Sequence, residues 1–220
     1  MLDRVLEPEV MDSAEEARDY DAMDHSTVNR VFVADFLSAW NRHSPILDVG
    51  TGTAQIPIEF CRQSPGGEII AIDLAEHMLT RGRANVRDAG LDHRVRLEKI
   101  NGRQMPYADA TFGAIMSNSI VHHIPEPRQI FAEMVRVAAP GATFFVRDLL
   151  RPADAISLRN LVETYAGNDN EHQRKMFAES LHAALTLSEV RSLVAEYDFA
   201  PESVRQTSDR HWTWSASKRA

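Results

Sequence analysis

The sequence predicts an α/β fold: a mostly parallel seven-stranded sheet with helices on both faces and an antiparallel C-terminal edge. Three features carry that expectation. Short apolar runs alternate with helix-patterned stretches from Pro45 to Val146. Caps and stop residues fall at the boundaries of those stretches. The segment from Ser203 to Ala216 changes to the pattern of two short strands or a hairpin.

Taken in order, the N-terminal region up to about residue 40 reads as helical. Ser13 and Glu16 have capping-box spacing, in which each side chain satisfies an end amide of the other. Val28, Val31, Phe32, Phe36 and Leu37 recur at helical spacing and give a second helix an apolar face. Pro45–Val49 is a short apolar run ending in glycine and is the first strand. Residues 53–63 read as helix, with Pro57 in the first turn or bending it. Glu68–Ile72 is the second strand, and residues 75–89 form a helix stopped by Gly90. Val95–Ile100 alternates with period two, as a strand should. Phe112–Met116 is the fourth strand. Residues 127–138 are a helix stopped by Pro140-Gly141, and Thr143–Val146 is the fifth strand. Residues 153–184 read as helices with a polar break at Gly167–Asn170. Thr186 and Glu189 form another capping-box pair before a helix ending near Tyr197. No linker is visible, so residues 1–220 are expected as one domain. Its parts are a helical N-terminal lid (1–42), a ligand-binding core (43–150), a helical substrate cover (151–200) and C-terminal strands (201–220).

Bulk composition narrows the function. Hydrophobic residues make up 44% and charged residues 25%, enough for an ordinary core. The net charge is −8, without the basic excess of a polyanion-binding domain, so nucleic acid is not the expected partner. Cys61 is the single cysteine; no internal disulfide can form, which fits a reducing compartment. The opening MLDRVLEPEV lacks the apolar core of a signal peptide, and no run reaches membrane-span length. A cytoplasmic location is expected.

The strongest motif is Ile46-Leu47-Asp48-Val49-Gly50-Thr51-Gly52-Thr53-Ala54. Its glycines let the chain turn sharply and let a ligand approach the backbone. The motif lies where the first strand passes into a helix, at the carboxyl edge of the sheet. A nicotinamide-binding fold stays open here, but Gln55 stands where the third glycine of that fingerprint belongs. Asp48, inside the strand end, suits a ligand carrying an amino group better than a pyrophosphate. Asp73 ends the second strand and has two readings. Its carboxylate could accept both hydroxyls of a ribose, or it could cap the next helix, since Asp73-Leu74-Ala75-Glu76 has capping-box spacing.

With ILDVGTGTA, AIDLAEHML, NGRQMPYADATFGAIMSN, SIVHHIPEP and EMVRVAAPGATFFV in this order, the sequence resembles class I S-adenosylmethionine-dependent methyltransferases. The likeness is strongest to the small-molecule group that includes the ubiquinone and menaquinone C-methyltransferases, and it runs from about Pro45 to Leu150. It implies a Rossmann-like fold and S-adenosyl-L-methionine as cofactor. Asp48, Gly50, Thr51 and Gly52 would hold the methionine part. Asp73 would bind the ribose, with Leu74 and Met78 near the adenine and ribose. Asn101 and Gly102 would meet the adenine edge, with Arg103 in the same loop; the Asn101 carbonyl can contact the adenine amino group. Asn118 and Ser119 would line the cavity beside the sulfonium. Tyr20 and Met23 would close over the cofactor as part of an N-terminal lid.

Outside those motifs, His122 and His123 either shape the substrate cavity or supply a general base. No zinc-like spacing accompanies them, and no metal is expected. Glu133 and Arg136, at i,i+3 spacing, read as structural. Arg147 and Asp148 end the fifth strand as a solvated terminus or as recognition groups for a charged substrate. The Asp19-Tyr20-Asp21…Asp24-His25 cluster reads as a solvated helix face rather than a metal site. His211–Trp214 is expected to pack on a sheet edge. Methyl transfer from a sulfonium needs positioning and exclusion of water, and a base only for a protonated nucleophile. Ser117-Asn118-Ser119-Ile120 lacks the proline-rich motif of nucleobase amino-group methyltransferases, so a small or medium organic acceptor is expected. Two other readings stand: a non-catalytic S-adenosylmethionine-binding regulator and an NAD-dependent oxidoreductase. A homodimer is compatible with all three.

Overall fold

The computed structural model describes residues 2–7 and 13–219. The lid range 1–42 and the strand range 201–220 therefore include residues outside the description. The described elements are α1 (Ala14–Ala22), α2 (Ser26–Ala39), β1 (Ile46–Val49), α3 (Gln55–Gln63), β2 (Ile69–Asp73), α4 (Glu76–Asp88), β3 (Val95–Lys99) and β4 (Phe112–Asn118). They continue with α5 (Pro127–Val137), β5 (Ala138–Leu149), α6 (Ala155–Ala166), α7 (Glu171–Ala183), α8 (Leu187–Ala195), β6 (Val204–Gln206) and β7 (His211–Ser217). The strands are hydrogen-bonded in the order β3-β2-β1-β4-β5-β7-β6. β1 pairs in parallel with β2 and β4, and β2 with β3, while β6 and β7 are antiparallel. The order reverses at β1/β4, the place where open α/β sheets bind ligands beyond the strand ends. The aromatic tail does not lie on an edge: β7 sits between β5 and β6, and Trp212 and Trp214 are fully buried.

The chain divides into two compact units. One contains residues 10–118, 128–146 and 215–220. Its core gathers Phe32, Val33, Phe36, Trp40, Phe60 and Phe145 against β1 and β2. The α2 face is shifted from the expected one. Asn29, Phe32, Val33 and Phe36 are buried, whereas Val28 and Val31 are 47% and 51% exposed. The two phenylalanines set the rotation, because Phe32 and Phe36 both meet Phe145 edge-on, and that leaves the valines on the flanks. Each buried phenylalanine stabilises the fold by about 1.5–3 kcal/mol. β5 is also longer than expected. α5 ends at Val137 and the chain enters the strand at once, so Pro140 and Gly141 lie inside β5. Gly141, at φ 78°, donates to the Lys218 carbonyl at 2.9 Å. The Lys218 ammonium in turn caps the end of α5 through the Val135 and Ala138 carbonyls, 2.7 and 2.8 Å away.

The second unit contains residues 1–9, 119–127 and 147–214, of which residues 2–7 represent the N-terminal part. Leu149, Val162, Leu181 and Ala184 form a core under α6 and α7. The predicted cap is present at Thr186/Glu189, and the polar break supplies a second capping box, Asn170/Gln173, that was not expected. Arg151 donates to the Ala184 carbonyl and pairs with Glu189 at 2.7 Å. Arg4 fastens the N-terminal segment by donating to the carbonyls of His122, Ile124, Pro125 and Ala183.

Candidate functional site

In the first unit the ends of β1, β2 and β4 build one constellation. β1 stops at Val49 because the chain turns through Gly50 at φ 77° and Gly52 at φ 54°, conformations that favour glycine. The Gly50 and Thr51 amides both donate to the Ile72 carbonyl, at 2.9 and 3.0 Å, which curls the loop over the end of β2. Ala54 follows in the left-handed region as the N-cap of α3. An alanine there costs about 1 kcal/mol or more that a glycine would not. Ser117 donates to the Val49 carbonyl at 2.8 Å and pins β4 beside this turn.

Asp73 does not cap α4: the N-cap is Ala75, without a side-chain bond. Instead one Asp73 oxygen accepts the Gly52 amide at 2.7 Å and the other accepts the Ala75 amide at 2.9 Å. The carboxylate thus joins the glycine loop to the start of α4. Glu76, expected as its capping partner, pairs with Arg83 and Lys99.

Asp48 is buried, and its Oδ2 has no hydrogen-bond partner among the described residues. Burial pushes its carboxyl up to about 7; the Asp73 charge adds to the rise and Thr51 opposes it. A buried carboxylate costs free energy unless a cation or donor meets it. Tyr20 lies over this region. It packs with Ala17, Ala75 and Met78, and its Cε1 would be 3.7 Å from a Cβ placed on Gly52. Burial raises the Tyr20 phenol, and Asp73, Asp48 and Asp21 raise it further.

Asp21 is not on a solvated helix face. It accepts from Arg81 at 2.5 Å, Asn85 at 2.8 Å and Gln55 at 3.1 Å, fastening α1 to α3 and α4. Burial opposes its charge, but these donors hold its carboxyl below the usual range.

The Asn101 loop is placed beside β2 by the Ile100 amide, which donates to the Asp73 carbonyl. Gly102 is there for close approach: a Cβ would meet Ile130 at 3.0 Å and Val49 at 3.2 Å. The Asn101 side-chain oxygen, expected to face a ligand, accepts the Arg103 amide at 3.0 Å. Glu133 and Arg136 are structural, as their spacing suggested. Glu133 accepts the Met105 amide, and Arg136 donates to the Met105 and Tyr107 carbonyls and to Asp109.

Ser119, His122 and His123 belong to the second unit. Ser119 turns at φ 57° and donates its amide to the Arg147 carbonyl. His122 is buried, with Nδ1 2.5 Å from Asp148 Oδ1. Asp148 is no solvated strand end. It is buried and also accepts the amides of Val121, His122 and Leu149. Burial opposes the His122 imidazolium, but Asp148 and Glu7 outweigh it and raise the group above its usual range. Glu7 Oε1 lies 3.1 Å from His123 Nδ1 and 3.5 Å from His122 Nε2. Sequence reasoning missed Glu7, which has no periodic or motif context. For Asp148 a signal existed: a carboxylate inside the apolar run Thr143–Leu150.

Residues 47–146 match the methyltransferase-domain family. A demethylmenaquinone methyltransferase from Halalkalibacterium halodurans is 30% identical over 173 residues, 78% of this chain and 67% of that protein. The chain belongs to the S-adenosylmethionine-dependent methyltransferase family. Within that family, a 24-methylenesterol C-methyltransferase from Oryza sativa subsp. japonica is 34% identical over 51% of this chain and 30% of its own length. The chain spans about half the length of further curated methyltransferases that it matches. The plantazolicin methyltransferase, solved with S-adenosylhomocysteine, superposes with a TM-score of 0.68 at 13% identity, over 93% of this chain and 90% of that one. No helix among the described residues is long and apolar enough to cross a membrane.

Proposed function

We propose that this methyltransferase family member transfers a methyl group from S-adenosyl-L-methionine to a small or medium organic acceptor by direct displacement. The observation that carries this reading is the buried, unpartnered Asp48 oxygen beside the Gly50–Gly52 turn. A cationic amino group is the partner such a carboxylate lacks. Asp73 and the glycine loop then receive a ribose, at the cost of the Gly52 contact it now holds. Tyr20 and Met78 supply apolar cover, and Asn101, Gly102 and Arg103 border the adenine. When bound, the cofactor supplies an activated methyl group on a sulfonium. The protein's part is to hold the acceptor in line and exclude water, and segment 151–200 supplies acceptor contacts in this reading.

For an acceptor that must lose a proton, we assign the base to His122, because Asp148 holds its Nδ1 and leaves Nε2 as the second ring nitrogen. His123 is the alternative. Transfer of labelled methyl into the small-molecule fraction of a cell extract tests the reading. Label appearing in a discrete product, and lost with Asp73→Ala, supports it. S-adenosylhomocysteine binding without transfer to any acceptor favours the regulator reading instead.

A further inference from the structure

The second unit holds a grouping of Glu7 with the histidine pair that the methyl-transfer reading leaves unexplained. Glu7, His122 and His123 offer one carboxylate oxygen and two imidazole nitrogens, all within 4.8 Å of one another. Glu7 Oε1 and His123 Nδ1 are buried and make no hydrogen bond, although only 3.1 Å separates them. Protonating His122 does not remedy this. Its Nε2 stands 3.5 Å from Glu7 Oε1, beyond the ordinary N–H···O distance. The other ring nitrogen is committed to Asp148, which fixes the tautomer and aims Nε2 at Glu7. A carboxylate behind a histidine is the usual outer partner of a metal-bound imidazole. Ser180 similarly holds the second Glu7 oxygen, at 3.1 Å.

We infer that Glu7, His122 and His123 form a site for a divalent transition metal ion of the zinc class. Two nitrogens and one oxygen suit zinc, cobalt or iron(II), whereas magnesium and calcium take oxygen ligands throughout. Bonds of about 2.1 Å place tetrahedral donors about 3.4 Å apart. The separations of Glu7 Oε1 from His123 Nδ1 and His122 Nε2, 3.1 and 3.5 Å, bracket that value. Three protein ligands leave a coordination position for water or an oxygen donor, as in catalytic rather than structural zinc sites. The site also explains the fastening of the N-terminal segment. Arg4 is bound to four carbonyls, including that of His122, and this sets Glu7 against the histidine pair. A bound ion occupies the His122 lone pair that a proton acceptor needs, so the two roles exclude each other in one state.

The test uses the untagged full chain, stripped with chelator and titrated with cobalt(II) by calorimetry and visible absorption. The inference predicts one cobalt ion per chain, with a low-symmetry nitrogen/oxygen spectrum that zinc abolishes. Glu7→Gln and His123→Ala each weaken binding by about tenfold or more, and Asp148→Asn does so by about 10–100-fold through the outer contact. Metal-free melting curves show whether each variant folds, and the three variants sit at separate positions, so one misfolded protein leaves two readings. Absence of stoichiometric binding overturns the site, as does binding undiminished in the folded variants. S-adenosylhomocysteine binding is measured separately on the same stripped protein, so failure of the metal site and failure of the methyltransferase reading are told apart.

Discussion

At the scale of single residues, Asp48 is the most informative group. Its carboxyl is raised from 3.8 to about 7 by burial, with Asp73 adding to the rise. The sign follows from which state holds the proton. Between those values the folded chain keeps a proton that the unfolded chain releases, so stability falls as pH rises from about 4 through about 7. Asp48→Asn removes this contribution. Melting temperature measured against pH shows a flatter profile for the variant over that interval, and equal slopes would remove the assignment. The same group couples to ligand. An ammonium beside Asp48 favours its ionised form, so S-adenosylhomocysteine affinity rises with pH up to about 7 and binding releases a proton. Calorimetry in two buffers of different ionisation enthalpy reads that proton directly.

Residue roles were unevenly legible in the sequence. Asp48 stood out as a carboxylate at a strand end beside glycines, and Asp73 as a carboxylate ending the next strand. The bond from the Gly52 amide to Asp73 did not, because it depends on how the loop folds back over β2. Glu7 was silent for the same reason, and Asp148 was conspicuous as a carboxylate in an apolar run but not in its role. Their meaning lies in contacts with His122 and His123, which are distant in sequence.

At the scale of elements, α5 acts as a clamp on the loop that carries Asn101 and Gly102. Arg136 reaches the Met105 and Tyr107 carbonyls while paired to Glu133 and Asp109. Arg136→Ala leaves those carbonyls without their donor and costs about 1–3 kcal/mol. Urea denaturation checks the stability, and weaker S-adenosylhomocysteine binding is expected as the loop loosens. Unchanged values for both would assign the clamp no role. The N-terminal segment has its own test. Arg4→Ala removes the side chain that binds four carbonyls, so the Val5 amide, now bonded to the His182 carbonyl at 3.3 Å, exchanges faster with deuterium. Unaltered exchange at Val5 would show that the segment is held by other contacts.

Elements were easier to read than their faces and ends. Strong apolar runs fixed β1 to β4 within a residue or two, and the caps at Ser13, Thr186 and the Gly167–Asn170 break fell where their chemistry placed them. The face of α2 was read correctly at Phe32, Phe36 and Leu37 but included Val28 and Val31, which are exposed, and left out Val33, which fills the core. The start of β5 was missed because Pro140-Gly141 is ordinarily a stop, whereas here Lys218 and Asn41 take up the local polar groups.

At the scale of the whole molecule, the alternation of strands and helices carried the fold class, and the strand order with its reversal at β1/β4 carried the location of the glycine loop. The family follows from the motifs in sequence and from the matched relatives, while the acceptor does not, since the helices expected to cover it have an unspecific composition. The central claim is that the Asp48–Asp73 constellation binds an adenosyl amino acid. Calorimetric titration with S-adenosylhomocysteine and with NADH, on the parent chain, Asp48→Asn and Asp73→Ala, tests it most directly. Saturable binding of S-adenosylhomocysteine alone, weakened in both variants, is the predicted result. Binding of NADH without S-adenosylhomocysteine, or S-adenosylhomocysteine affinity unchanged in both variants, would contradict it.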